Sequence, residues 1–561
     1  MKQRKILLFI VLLLVVITSL VAIWQRYDQL QPVAINPPAK TPTITYRGDS
    51  VMTDEDRKKA DAPGPKEPTI EIPRDTKLPE PVATPAINAP KQEEVRESVE
   101  KEYTYYPLLT ANDPGYASNW AIQKVKAPAA WDISTGNGQT VVAVIDSGYA
   151  LNHDDLKNNW FINVNESGTT SLGDQCWTGV AQDKTTNNCD DDGNGYIDDW
   201  RGWNFFLGDN SPMAGRTNPT GAGVAHGTET SGLVGSAGNN NVGIATINWN
   251  TKIMPLQALS DDGPGYTSDV VAAIYYAVDN GADVINMSLG GDTYDAAMKA
   301  ATDYAYSNNV VVVAAAGNCG SSGTPGCENL PNGAMSYPAL NDHVISVGAT
   351  TINDVRASFS SYGPSLDVVA PGSGTIASPT WSSTNNTSLY SGALYGTSYA
   401  APQVASLVSL IKSIRPASTS DDIAALLLAT TTRPAAMNGA LYTNELGHGI
   451  INAQAALTIG SALNNTTATP LLLQAGGVKS EHSYAASDTL GSGCATTAST
   501  YCTVWMRNAS NGYERYLPYQ LSSQAGSTGW SWSGSYLPSG DWNLRALQGD
   551  RRSTPYALIN K

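Results

Sequence analysis

The chain has 561 residues, of which 50 are acidic and 34 basic, giving a formal net charge of −16. That sign argues against nucleic acid as a partner and suits bound cations such as calcium. The length allows two or three domains, and the composition is that of a globular protein low in charge, at 15%.

Six cysteines fall into three short-range pairs, Cys176/Cys189, Cys319/Cys327 and Cys494/Cys502, with no C-x-x-C among them. Local pairing of an even number predicts three disulfides, an oxidising compartment and no zinc cluster. Residues 1–23 are a basic head followed by an apolar run from Ile6 to Ile23, a segment that directs export. The run is long enough to span a bilayer, and the small residues near Ser19 and Ala22 are interrupted. The expectation is an uncleaved membrane anchor, with secretion after signal cleavage as the alternative. The rest of the chain is extracytoplasmic in both cases. Residues 24–110 hold twelve prolines between Pro32 and Pro90 and lack apolar periodicity, which predicts a spacer or pro-region without a packed core.

Residues 111–460 read as one α/β domain. Five apolar residues from Val141 end in Asp146, a buried parallel strand that presents a carboxylate at its C-terminal end. An insertion over 160–225 contains Asp190, Asp192, Asn194, Tyr196 and Asp198 at positions 1, 3, 5, 7 and 9 of an EF-hand-like loop, with Gly195 at position 6. Alternate oxygens of this kind suit calcium, Tyr196 offering its carbonyl. Position 12 is Arg201, so no helix–loop–helix is implied. Five carboxylates within 190–199 would repel one another without a cation. His226 opens a small-residue segment suited to a tightly packed helix. Strand-like and helix-like segments then alternate to residue 320, predicting a parallel sheet with helices on both faces. The apolar strand at 310–319 ends in Gly317-Asn318, and an Asn amide there can donate to a developing oxyanion. Gly396-Thr397-Ser398 precedes a helical apolar pattern, Ala400 to Ile411, which puts Ser398 at a helix N-terminus. Pro402 is expected in that helix's first turn. Residues 461–561 contain short alternating runs between Gly and Asn, predicting a small β domain of unknown partner.

Asp146-Ser147-Gly148, His226-Gly227-Thr228, Asn318 and Gly396-Thr397-Ser398-x-Ala-x-Pro occur in the order found in subtilisin-like serine proteases, and the chain resembles that family over about 119–460. The resemblance implies a calcium-stabilised serine endopeptidase acting on polypeptides through an acyl-enzyme. Asp146, His226 and Ser398 would be its triad and Asn318 its oxyanion donor. It further implies that the Ser288-Leu289-Gly290 backbone and Gly317 bind substrate. Asp155 and Asn240 match structural calcium ligands, and loops like that at 190–199 occur in the family. Three motif positions depart: Asp154 stands for a proline before Asp155, Glu229 for a second histidine, and Tyr399 for a methionine. The compact prodomain usual in secreted members has no visible counterpart in 24–110.

Overall fold

A computed structural model describes residues 109–321, 327, 330–384 and 386–463, with β-strands at residues 43–44 and between 471 and 560. The expected anchor and most of the expected spacer lie outside the described residues. No described helix is long and apolar enough to cross a membrane.

Strand β1 (Val141–Asp146) is the third strand of a seven-stranded sheet. Its partners are β2 (Trp203–Asn204), β3 (Lys252–Gln257), β4 (Val284–Met287), β5 (Val311–Ala315), β6 (Val344–Thr350) and β7 (Val368–Pro371). The order is β2-β3-β1-β4-β5-β6-β7, and every pairing is parallel. The sheet grows from β1 to one side through β3 and then to the other from β4. β1 is therefore the topological switch point, where α/β sheets open a crevice at their carboxyl ends.

Alternate residues of the strands face two separate cores. Val142 and Val144 of β1 join Val311 and Val313 of β5 against helix α4 (Thr397–Ile414), α5 (Ser420–Ala429) and α6 (Ala453–Leu463). Ala143, Ile145, Val312 and Ala314 face α2 (Thr267–Asp279) and α3 (Ala296–Ser307). Burial on both sides explains why these strands read as continuous apolar runs. Helix α1 (His226–Gly235) is buried along its whole length. Gly227 permits its approach to the end of β1, since a Cβ there would lie 2.7 Å from the Gly148 carbonyl oxygen.

Helix α4 departs from expectation at Pro402, which is its sixth residue and not in the first turn. Proline removes the N–H that would bond the carbonyl of Ser398. That carbonyl accepts instead from Ser288 Oγ, at 2.7 Å. A hydroxyl from the loop after β4 thus replaces the missing helical bond beside the candidate nucleophile.

Two disulfides close loops, Cys176–Cys189 and Cys319–Cys327. The expected Cys494/Cys502 pair lies where side chains are not described. Beyond residue 470 the described backbone consists of strands, among them Thr489–Ala495, Tyr501–Asn508, Glu514–Tyr516, Ser527–Ser533 and Asp541–Gln548. The strand Glu514–Tyr516 touches the α/β domain: Arg515 lies over the Tyr442 ring at 3.6 Å, and the Tyr516 N–H donates to His448 Nε2 at 3.3 Å.

Candidate active site

Asp146 is the last residue of β1 and is fully buried. Its Oδ1 accepts from His226 Nδ1 at 2.7 Å and from the Ser147 N–H at 2.7 Å. Its Oδ2 accepts from Thr230 Oγ1 at 3.0 Å. Three donors hold the carboxylate in one orientation, and its bond to Nδ1 selects the imidazole tautomer with the proton on that nitrogen. His226 is the first residue of α1, only 3% exposed. Thr230, one turn later on the same helix, was not singled out from sequence, although its i,i+4 spacing from His226 places it on the same face.

Ser398 is the second residue of α4 and is 3% exposed. Gly396 enters the helix at φ 148°, a backbone that L side chains rarely adopt. Within the first turn the Ser398 N–H has no intrahelical acceptor. Asn318 follows β5. Its Oδ1 accepts from the Thr397 N–H at 3.0 Å and from Thr397 Oγ1 at 3.0 Å. An amide N–H can only donate, so the oxygen is the atom facing Thr397 and the Asn318 NH₂ points the other way. Thr397 Oγ1 also accepts from the Gly317 N–H at 3.2 Å. Thr397 therefore couples the end of β5 to the start of α4. In the sequence Thr397 is visible only as part of the Gly396-Thr397-Ser398 motif.

One cavity is lined by Ser288, Leu289, Gly290, Gly317, Asn318 and Ser398 together with Ser336. The residues expected to bind substrate thus share a pocket with the candidate nucleophile. Gly290 and Gly317 form walls without side chains. A Cβ at Gly317 would lie 2.5 Å from Ser336 Oγ, and one at Gly290 would lie 2.7 Å from Ser336 Cβ. Ser336 closes this pocket between them, a role no motif announced.

In the acidic loop, Asp190 accepts from the backbone N–H groups of Gly193, Asn194 and Gly195. Asn194 accepts from the Tyr196 N–H and donates to Asp199. Asp198 accepts from the Asn188 N–H. The structure brings Glu166, Asp192 and Asp199 together, with one carboxylate oxygen of each within 4.8 Å of the others. Glu166 Oε2 is buried without a hydrogen-bond partner among the described atoms. Burial, then the charges of Asp199 and Asp192, push the Glu166 carboxyl up to about 7. Burial likewise raises Asp198 and Asp199. Glu166 lies 24 residues before the loop, and no spacing rule pointed to it. Asp155 and Asn240 also meet: Asn240 Nδ2 donates to Asp155 Oδ1, and the Ile244 N–H to Oδ2, both at 3.0 Å. Burial pushes the Asp155 carboxyl up to about 7.

An all-parallel sheet with Asp146 bonded to His226 at its switch point, and with Asn318 and Ser398 lining one cavity, is a fold and site of α/β type. The chain belongs to the subtilase family, whose profile matches residues 137–467; it is a subtilisin-like serine endopeptidase. Thermitase from Thermoactinomyces vulgaris is 34% identical over 305 residues, covering 54% of this chain and 86% of thermitase. Subtilisin DY from Bacillus licheniformis is 40% identical over 42% of this chain and 78% of its own. The halolysin-like extracellular serine protease Nep from Natrialba magadii is 30% identical over 65% of this chain and 56% of its own. A solved protease structure from Pseudoalteromonas arctica, 30% identical, superposes with a TM-score of 0.45 over 63% of this chain and all of that one.

Proposed function

We propose that Ser398 is the nucleophile of a peptide-hydrolysing reaction that runs through an acyl-enzyme. His226 takes the Ser398 hydroxyl proton at Nε2 as Oγ attacks the peptide carbonyl, and later returns it to the leaving amine. Asp146 holds the tautomer and stabilises the imidazolium. The Ser398 N–H and the Asn318 amide receive the oxyanion, aided by the positive end of α4. Water then cleaves the acyl-enzyme, with His226 again the base. The observation that carries this reading is the 2.7 Å bond from His226 Nδ1 to a fully buried Asp146 at the switch point. Extended polypeptide lies along Ser288-Leu289-Gly290, with the side chain before the cut bond in the pocket closed by Ser336.

Replacement of Ser398 or His226 by Ala should lower kcat by about 10⁶, a value carried over from subtilisin, a member of the same family. Turnover of either variant within tenfold of wild type sinks the assignment.

Calcium is the proposed structural ion at the acidic loop. Glu166, Asp192 and Asp199 would hold it: their oxygens are spaced for ligands at about 2.3–2.6 Å from one centre, and Glu166 Oε2 otherwise lacks a partner. A bound cation would offset the mutual repulsion of these carboxylates, and Asp199 ties the insertion to helix α2 by accepting from the Tyr276 hydroxyl at 2.6 Å. A second proposed site is Asp155 with Asn240, where the Asp155 oxygens accept from Asn240 Nδ2 and the Ile244 N–H. The proposed setting is extracytoplasmic, consistent with both disulfides and with the word extracellular in the names of relatives.

A further inference from the structure

Two of the positions at which this chain departs from its family's motifs, Glu229 and Tyr399, are 170 residues apart in sequence and bonded in space. The Tyr399 hydroxyl donates to Glu229 Oε2 at 2.7 Å. Glu229 Oε1 accepts from Thr380 Oγ1 at 2.8 Å, and the Glu229 carbonyl accepts from Ser378 Oγ at 2.7 Å. Both side chains are buried. Glu229 lies one turn after His226 on α1, and Tyr399 follows Ser398 on α4. Their bond therefore ties the helix of the base to the helix of the nucleophile. The Tyr399 ring also packs on His226, with ring centroids 5.5 Å apart and planes at 53°.

A buried carboxylate needs donors and a buried phenol needs an acceptor. Each of these residues supplies what the other requires. Glu229 is held at both oxygens, so it fixes the phenol, and the phenol ring bounds the space in which the imidazole can turn. We propose that Glu229 and Tyr399 are a coupled positioning pair for His226, acting through the imidazole and not on the substrate. The proposal rests on the reading of His226 as base and Ser398 as nucleophile. Positioning of a reacting group is felt in the transition state and not in substrate binding, so the pair should govern kcat and leave KM nearly unchanged.

The test is a kinetic cycle on a peptide substrate, well below the melting temperature, with enzyme concentration set by active-site titration. Tyr399→Phe keeps the ring and removes the tether. It should lower kcat roughly tenfold with KM within about twofold, because small misplacement of a catalytic group is costly. Glu229→Gln should do the same. The double variant should be no worse than either single one, a coupling of ~5-fold or more. Exchange of both residues for the family's pair, Glu229→His with Tyr399→Met, should recover more activity than either exchange alone. Singles that lower the melting temperature but leave kcat at the wild-type value overturn the proposal, as do losses that simply multiply. Ser398→Ala and His226→Ala are run alongside. If those variants keep activity, the triad reading itself has failed. If they are inactive while the Glu229 and Tyr399 variants match wild type, only the positioning pair has failed.

Discussion

Thr397→Val tests how the candidate oxyanion amide is held. Valine keeps the shape of threonine and removes Oγ1, which donates to Asn318 Oδ1 at 3.0 Å and accepts from the Gly317 N–H at 3.2 Å. Asn318 keeps its second anchor, the Thr397 N–H at 3.0 Å. One neutral hydrogen bond contributes about 0.5–1.5 kcal/mol net, so a loss expressed wholly in alignment of the amide lowers kcat about 2- to 13-fold. The ceiling is removal of the amide itself by Asn318→Ala, about 10²–10³, again a value carried over from subtilisin. The buried Gly317 N–H loses its acceptor as well, which costs about 1–3 kcal/mol of stability. The assay is kcat and KM on a peptide substrate together with a thermal melt. Thr397→Ser, which restores the hydroxyl, should stand near wild type in both. If Thr397→Val melts lower but turns over at the wild-type rate, the hydroxyl is structural and does not orient Asn318. A loss as large as that of Asn318→Ala would show that the backbone anchor contributes nothing.

Chelation of calcium should lower the melting temperature, and Glu166→Gln should remove most of that response; a site at 100 times its Kd contributes about 2.7 kcal/mol. An unchanged response in Glu166→Gln would place the ion elsewhere. His448 is buried, and burial, then the nearby Arg515 charge, lowers its pKa to about 3. The unfolded imidazole takes up its proton near 6.5, so between those values the unfolded state binds more protons and folding weakens as pH falls, by about 1.4 kcal/mol per unit. The stability advantage of wild type over His448→Gln should shrink at that slope below pH 6.5; the difference cancels Asp367, whose carboxyl burial pushes up to about 6. A pH-independent gap contradicts the assignment. Ser336→Gly should open the pocket and raise kcat/KM for a large apolar side chain before the cut bond, relative to alanine, by about 10-fold or more. An unchanged ratio, read from a peptide library, would show that Ser336 does not set the depth.

Much of the sheet was legible because burial on both faces leaves an unbroken apolar run, as in β1 and β5, and such runs end where the site lies. Asp146, His226, Asn318 and Ser398 could be singled out since each sits at or near a strand or helix end in a short motif. What stayed hidden depended on contacts between distant segments. Glu166 joins Asp192 and Asp199 only through the fold of the insertion, and Ser336 enters the pocket from a loop with no signature. Pro402 lies deeper in its helix than its residue type predicts because its lost helical bond is compensated by Ser288, a hydroxyl 110 residues away from the carbonyl it serves. Glu229 and Tyr399 were each visible as a departure, but their bond was not.

The most direct test of the account is to treat the active protein with a fluorophosphonate and map the adduct by tandem mass spectrometry. The account predicts one modified side chain, Ser398, with activity lost in proportion to labelling, and no adduct in Ser398→Ala or His226→Ala. An adduct on another serine, or undiminished labelling of Ser398→Ala, would contradict it.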